Sequence, residues 1–226
     1  MARQFRTPPA FPVVATLTSM DPARQVALVL FDLGGVLIDV GGVAPMRDLA
    51  GVDSDEALWQ RWLTSPWVRS FERGQCTAHE FAAGMVQEWN LDLTPAEYLV
   101  AFSSWMSGPV AGAAELVAHV QRSVAVGCLS NMNHLHWETI ATESPIFEHL
   151  DHRFLSFEIG LVKPDAEIFE FVARNLDVAR ESILFLDDNQ VNVRAAQEAG
   201  FTAQRVQGLG EARHALRAVG LVTTSA

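Results

Sequence analysis

Apolar positions along the chain fall into three textures. The first is the run "ALVLF", Ala27 to Phe31, unbroken until Asp32 and followed by "LGGVLIDV". A strand buried on both faces reads as a continuous apolar run, whereas a half-buried strand alternates. The pattern therefore predicts a buried strand, with Asp32 where it leaves the sheet. The second texture, Asp48 to Phe102, has helical periodicity, carries Trp59, Trp62, Trp67 and Trp89, and holds no convincing strand. Within it "DSDEALWQRWL" begins with cap residues, and "TAHEFAAGMVQEW" sets Glu80 three places after Thr77, the spacing of a capping box. From Ala111 short apolar runs alternate with helical patterns: strands in "VAVGCLS", "RFLS", "ILFLD" and "TAQRV", helices in "GAAELVAHVQR", "HLHWETIAT", "DAEIFEFVARNL", "NVRAAQEAG" and "EARHALRAVG". Alternation at this spacing predicts a parallel sheet covered by helices on both faces.

The expected fold is therefore α/β: a Rossmann-like parallel-sheet core with helices on both faces and an inserted all-helical cap. The core takes residues 26–41 and 109–226, the cap residues 42–108, and an irregular N-terminal arm residues 1–25. That arm opens with two arginines, but its apolar stretch is short and broken by three prolines, which suits neither a signal sequence nor a helix. A chain of 226 residues can bury a full α/β core with room for one insertion. No run approaches the eighteen or so apolar residues of a membrane span. Sixteen basic against 27 acidic residues give a net charge of −11, which repels phosphate backbones, so nucleic acid is not an expected partner; without a spanning run, neither is a membrane. Of the two cysteines, Cys76 and Cys128, the second lies in a strand-like run and reads as a small buried hydrophobe. A reducing, cytoplasmic setting without a disulfide, and a monomer or homodimer, are expected.

Chemistry-bearing residues gather at the predicted strand ends. Asp32 ends the first strand, Ser130 and Asn131 end "VAVGCLSN", and Asp187 and Asp188 end "SILFLDDN". Carboxyl ends of parallel strands are where open α/β sheets place ligands. If these strands are neighbours, three carboxylates converge, and they repel one another unless a cation or a shared proton relieves them. Oxygen-only ligands select a hard ion such as Mg2+, which takes one or two carboxylates together with water and a substrate phosphate. Gly34 and Gly35 let backbone approach a ligand closely, and "GLVKPD" brings Lys163, with Asp165 placed to cap the next helix. A carboxylate, a cation, a hydroxyl, a lysine and exposed amides suit phosphoryl transfer through a covalent aspartyl intermediate.

In order, "FDLGGVLID", "LSN", "GLVKP" and "FLDDNQVNVRAA" resemble the four motifs of the haloacid dehalogenase-like (HAD) hydrolases, over about Val26 to Val219. The fuller string "LSNMNHLHW" and the cap turn "FERG" are similar to small bacterial phosphatases acting on sugar phosphates of the glucose 1-phosphate type. The resemblance implies a nucleophile at Asp32, which also ligates Mg2+, and a metal-ligating carbonyl at Gly34. It implies an acidic metal ligand at Asp187, with Asp188 beside it. Ser130 is the implied phosphoryl-binding hydroxyl, Asn131 and Gly35 line the phosphate site, and Lys163 balances charge. The implied partner is a small phosphate ester.

One departure stands out. Most phosphatases of this family carry a second aspartate two places after the nucleophile, which protonates the leaving group and later activates water; this chain has Gly34 there. The sugar-phosphate relatives share the glycine. Glu72, in the cap turn, and His136, after the serine motif, are the candidate replacements, with Trp67 and Phe71 expected beside Glu72 at the pocket. The alternatives are a 2-haloacid dehalogenase, which uses the same nucleophile on carbon without a metal, and a phosphometabolite-binding protein impaired in turnover. "DLGGV" fits the dehalogenases poorly, because they usually place an aromatic residue where Gly34 stands, followed by Gly-Thr.

Overall fold

A computed structural model describes residues 26–41, 43–141 and 144–223; the expected arm over residues 1–25 and the boundary residue Gly42 lie outside it. Its strands are β1 (Leu28–Phe31), β2 (Ile38–Asp39), β3 (Gly108–Pro109), β4 (Ala125–Ser130), β5 (His152–Leu155), β6 (Ile183–Asp187) and β7 (Thr202–Arg205). Five of them form one parallel sheet in the order β5-β4-β1-β6-β7. The chain leaves β1 for one side of the sheet and later returns to the other. That reversal makes the carboxyl end of β1 the topological switch point, where a crevice opens.

Burial on both faces explains the continuous apolar runs. Val29 and Phe31 of β1, Val126 and Cys128 of β4 and Leu184 and Leu186 of β6 join one apolar cluster. Their alternates, Leu28, Leu30, Leu129, Ile183 and Phe185, join a second on the opposite face. The first cluster is closed by helices α6 (Ala113–Gln121), α7 (His134–Ala141) and α11 (Gly208–Ala218), the second by α9 (Ala166–Arg174) and α10 (Gln190–Glu198). A short α8 (Ser156–Ile159) follows β5. Cys76 and Cys128 are free, and Cys128 is buried in the sheet as expected.

The stretch between β2 and β3 is helical: α1 (Val43–Ala50), α2 (Asp55–Thr64), α3 (Pro66–Glu72), α4 (Ala78–Trp89) and α5 (Pro95–Ser103). It has an apolar core of its own, built on Trp62, Phe71, Phe81, Tyr98, Phe102 and Trp105. The Thr77–Glu80 capping box forms at the start of α4, and a second, Thr94–Glu97, starts α5. Gly84 on α4 is required by packing: a Cβ there would stand 2.1 Å from the Trp67 ring. A two-residue ribbon, β2 against β3, carries the chain into and out of this block. At two residues each, these strands are too short to leave a periodic signature in sequence. Among the described residues no helix is long and apolar enough to cross a membrane.

Candidate active site

The three central strands deliver their last residues to one spot. Asp32 follows β1 and is held by its backbone N–H, which donates to the Leu186 carbonyl at 2.8 Å; Ser130 ends β4 and Asp187 ends β6. Asp32, Asp187 and Asp188 each offer a carboxylate oxygen, all within 4.8 Å of one another. The Lys163 ammonium enters among them, 3.0 Å from Asp32 Oδ2 and 2.6 Å from Asp187 Oδ2, and donates to the Leu129 carbonyl at 3.0 Å. Only 1 % of this lysine is exposed. Two buried carboxylates and a third that is half-buried, with a single ammonium, leave net negative charge in a low-dielectric setting. Its effect is visible in the acids themselves. Burial pushes the Asp32 carboxyl up to about 6, with Lys163 and the Ser130 hydroxyl pulling it back and Asp187 pushing it further. Asp188 is driven to about 7 by burial and then by Asp32 and Asp187. A donor set of carboxylate oxygens carrying excess negative charge, with no sulfur or imidazole in it, fits a hard divalent cation.

The two adjacent aspartates have different surroundings. Both oxygens of Asp187 are engaged, by Lys163, the Asn189 N–H at 2.8 Å and the Asn192 amide at 3.1 Å from each. Asp188 faces the open side, and Gly35 is what makes room for it. A Cβ at position 35 would stand 2.4 Å from Asp188 Oδ2, and Gly35 has φ of +71°. Gly34 is under no such constraint: it lies outside the left-handed region, and a Cβ there would meet only Val40, at 3.3 Å.

Asn131 clasps the lysine loop, its amide donating to the Lys163 carbonyl at 3.0 Å and its Oδ1 accepting from the Lys163 N–H at 2.8 Å. Asn133 rather than Ser130 or Asn131 caps α7, accepting from the His136 N–H. Asp165 stands at the start of α9 but caps nothing with its side chain. It binds Arg69 at 2.6 Å and Arg73 at 2.5 Å, both on or next to α3, across the gap between sheet and helical block. These arginines carry no signal in the sequence, since their partner lies more than ninety residues away.

A cavity of about 1150 Å³ lies between the sheet edge and the helical block. Asp32, Gly34, Ser130, Asn131, Lys163 and Asp188 line it from the sheet side, and Trp59, Gln60, Trp62, Arg69, Glu72 and Phe102 from the other. Asp187 lies beneath the surface. Of the three cap residues expected at the pocket only Glu72 reaches it: Phe71 is stacked on Phe81 inside the block, and Trp67 is packed on Gly84. Glu72 is 8 % exposed and accepts one hydrogen bond, from the Trp62 indole N–H at 3.3 Å. Burial pushes its carboxyl up to about 7, opposed by the Trp62 bond. His136 also borders the cavity, but both ring nitrogens are engaged, Nδ1 with the Asn133 amide at 3.1 Å and Nε2 with the Phe102 carbonyl at 2.8 Å. It stacks on Phe102 at 4.2 Å, and burial pulls its imidazole below the ordinary value; with both nitrogens engaged it ties α7 to the helical block and has none free to move a proton.

The model of the haloacid dehalogenase-like hydrolases matches residues 26–200, more than three quarters of the chain. The chain belongs to that family. HAD relatives of more than one activity resemble it. The D-ribitol-5-phosphate phosphatase of Bacteroides thetaiotaomicron is 26% identical over 182 residues, covering 76% of this chain and 88% of the relative. An (S)-2-haloacid dehalogenase of Pseudomonas fluorescens is likewise 26% identical, over 185 residues, covering 76% and 80%. Among solved structures, a HAD-family enzyme of Bacteroides thetaiotaomicron in complex with magnesium and inorganic phosphate superimposes with a TM-score of 0.63 at 21% identity, covering 80% of this chain and 94% of its own. That likeness confirms the parallel-sheet fold.

Proposed function

We propose that the protein is a Mg2+-dependent phosphatase that hydrolyses a small phosphorylated metabolite, a sugar or polyol phosphate, through an aspartyl-phosphate intermediate. The observation that carries the reading is the meeting of Asp32, Asp187, Asp188 and Lys163 at one strand edge beneath the cavity. Asp32 and Asp188, with the Gly34 carbonyl and Asp187 behind them, would hold the metal. When bound, Mg2+ supplies electrophilic stabilisation of the phosphoryl oxygens and neutralises the carboxylate excess.

Asp32 attacks phosphorus, and the bond to the ester oxygen breaks as the aspartyl phosphate forms. Ser130 and the amide at Asn131 bind the phosphoryl oxygens; the Gly35 N–H, expected beside them, donates instead to the Ile38 carbonyl at 3.0 Å. Lys163, fixed by three acceptors, presents a charge whose position is set before substrate arrives, so no reorganisation opposes the reaction. Water then cleaves the intermediate and regenerates Asp32. The helical block acts as the lid over this site, excluding water and setting specificity. Its walls mix Trp59 and Trp62 with Gln60 and Thr64, which suits a carbon skeleton bearing hydroxyls. The ribitol phosphatase relative favours the same class.

The test is a screen of sugar and polyol phosphates for phosphate release, with Mg2+ and with chelator, run beside a 2-chloropropionate assay for chloride release. Mg2+-dependent phosphate release with no chloride is expected. Metal-independent chloride release would replace the phosphatase by a dehalogenase.

A further inference from the structure

We propose that Glu72 protonates the leaving oxygen and later takes a proton from water, filling the role vacant at Gly34; this rests on the phosphatase reading above.

The helical block offers the cavity three carboxyls, and Glu72 is the buried one: Asp55 and Glu56 are exposed. Its Oε1 accepts from the Trp62 indole, while its second oxygen has no partner among the described residues and is open to the cavity. A carboxyl with one oxygen anchored and one free is aimed without being consumed. Its helix is anchored too. Arg69, one turn earlier on α3, and Arg73, the next residue, both bind Asp165, two residues past Lys163. Glu72 is thereby held at a fixed offset from the lysine that touches the nucleophile. Asp32 and Lys163 from the sheet, and Arg69 from its own helix, are the charged groups that act on it; burial outweighs the pull of both cations and keeps a proton on the carboxyl close to neutral pH. An acid poised there is matched to both halves of the reaction. The other candidate, His136, has both nitrogens committed.

The atoms balance. Asp32 bonds to phosphorus as the ester P–O bond breaks, and the departing oxygen takes the Glu72 proton to leave as an alcohol. Water then attacks the aspartyl phosphate and gives its proton to the Glu72 carboxylate, the bond between Asp32 and phosphorus breaks, and inorganic phosphate leaves. Both groups return to their starting states.

The experiment compares wild type with Glu72→Gln, an isostere that can still accept the Trp62 bond, using the best alkyl phosphate from the screen and p-nitrophenyl phosphate, whose leaving group needs no proton. Alkyl turnover is expected to fall about 10²–10⁴-fold. With the aryl ester, the variant should release a burst of one p-nitrophenolate per active site followed by a slow phase, because formation of the aspartyl phosphate is spared and its hydrolysis is not. An active wild type whose Glu72→Gln variant loses neither alkyl turnover nor the second step, or loses both esters equally with no burst, overturns the role of Glu72 and leaves the phosphatase standing. A wild type that releases phosphate from neither ester with Mg2+ overturns the phosphatase, and this role with it.

Discussion

The two walls of the cavity are built on opposite plans. On the sheet side the lysine network is densely bonded: Lys163 has three acceptors, both Asp187 oxygens are bonded, and Asn131 grips the lysine loop with both ends of its amide. On the helical side the wall is aromatic, with Glu72 its one buried acid and a single hydrogen bond to hold it. A network saturated with short bonds fixes geometry before substrate arrives. A sparsely bonded acid in an apolar wall keeps its proton available. The sheet side thus orders charge, and the helical side perturbs one group.

The sharpest way to break this comparison is at Asp32, the proposed nucleophile. Asp32→Asn is expected to lower phosphate release by roughly 10⁴-fold or more, because an amide does not attack phosphorus. The same change removes one of three carboxylates crowded around one ammonium, so without Mg2+ the melting temperature should hold or rise. Loss of activity together with a large loss of stability would mean that Asp32 is a structural ion-pair partner, and the charge-ordering account of the sheet side would fail.

Gly34→Asp tests the division of labour between the walls. Backbone geometry does not require glycine there, and the only close neighbour of the new Cβ is Val40. With Glu72 present, the added carboxyl duplicates an existing role beside like charges, and the expected gain in alkyl turnover is under about tenfold. In the Glu72→Gln background the same substitution should recover much of the ~10²–10⁴-fold loss. A gain of equal size in both backgrounds, read from a double-mutant cycle, would show that Glu72 and position 34 do not share a function.

What could be read in the sequence follows the same boundary. The sheet side was legible because β-strands end in register: an apolar run followed by Asp, Ser or Asp fixes which side chain emerges, whatever the rest of the chain does. Even there, the unequal settings of Asp187 and Asp188 were hidden, since they depend on Asn192 one helical turn on and on the absent Cβ of Gly35. The helical side was legible only as texture. Its periodicity marked the helices and the Thr77–Glu80 cap, but Trp67, Phe71 and Glu72 fall on one short helix with different neighbours: Trp67 meets Gly84 and Phe71 meets Phe81, both on α4, while Glu72 reaches the cavity. His136 looked like chemistry because it follows the serine motif; its partners, Asn133 and a carbonyl thirty-four residues away, make it a fastening.

A smaller effect separates the walls thermodynamically. The Glu72 carboxyl is raised from an ordinary 4.5 to about 7 in the folded protein. The folded chain therefore binds this proton more tightly than the unfolded chain. The stability it confers is complete below about pH 4.5 and is lost as the pH climbs through 7. Glu72→Gln removes that dependence. Denaturant melts of the metal-free proteins should show the variant gaining on wild type between pH 5 and 7.5, by on the order of 1–3 kcal/mol, and then a constant difference. The raised acids of the sheet side are common to both proteins and cancel. A difference that does not change with pH would place Glu72 in water rather than in an apolar wall.

The smallest effect concerns what holds the walls together. Asp165 joins them through Arg69 and Arg73, and each partner is about a quarter exposed, so the pairs are screened and together contribute on the order of 1 kcal/mol. Asp165→Asn should therefore barely move the melting temperature. Its consequence is local. The α3 helix would keep its Phe71 packing inside the block but lose its grip on the lysine loop, so amide exchange in Pro66–Glu72 should quicken while exchange in β1, β4 and β6 stays unchanged. If Glu72 depends on that grip for its aim, alkyl turnover should fall several-fold in Asp165→Asn while formation of the aspartyl phosphate from the aryl ester keeps its wild-type rate. Faster exchange across both walls would instead make Asp165 part of the general packing, and unchanged turnover with a quickened α3 would show that the ribbon of β2 and β3, with the His136 fastening, positions Glu72 unaided.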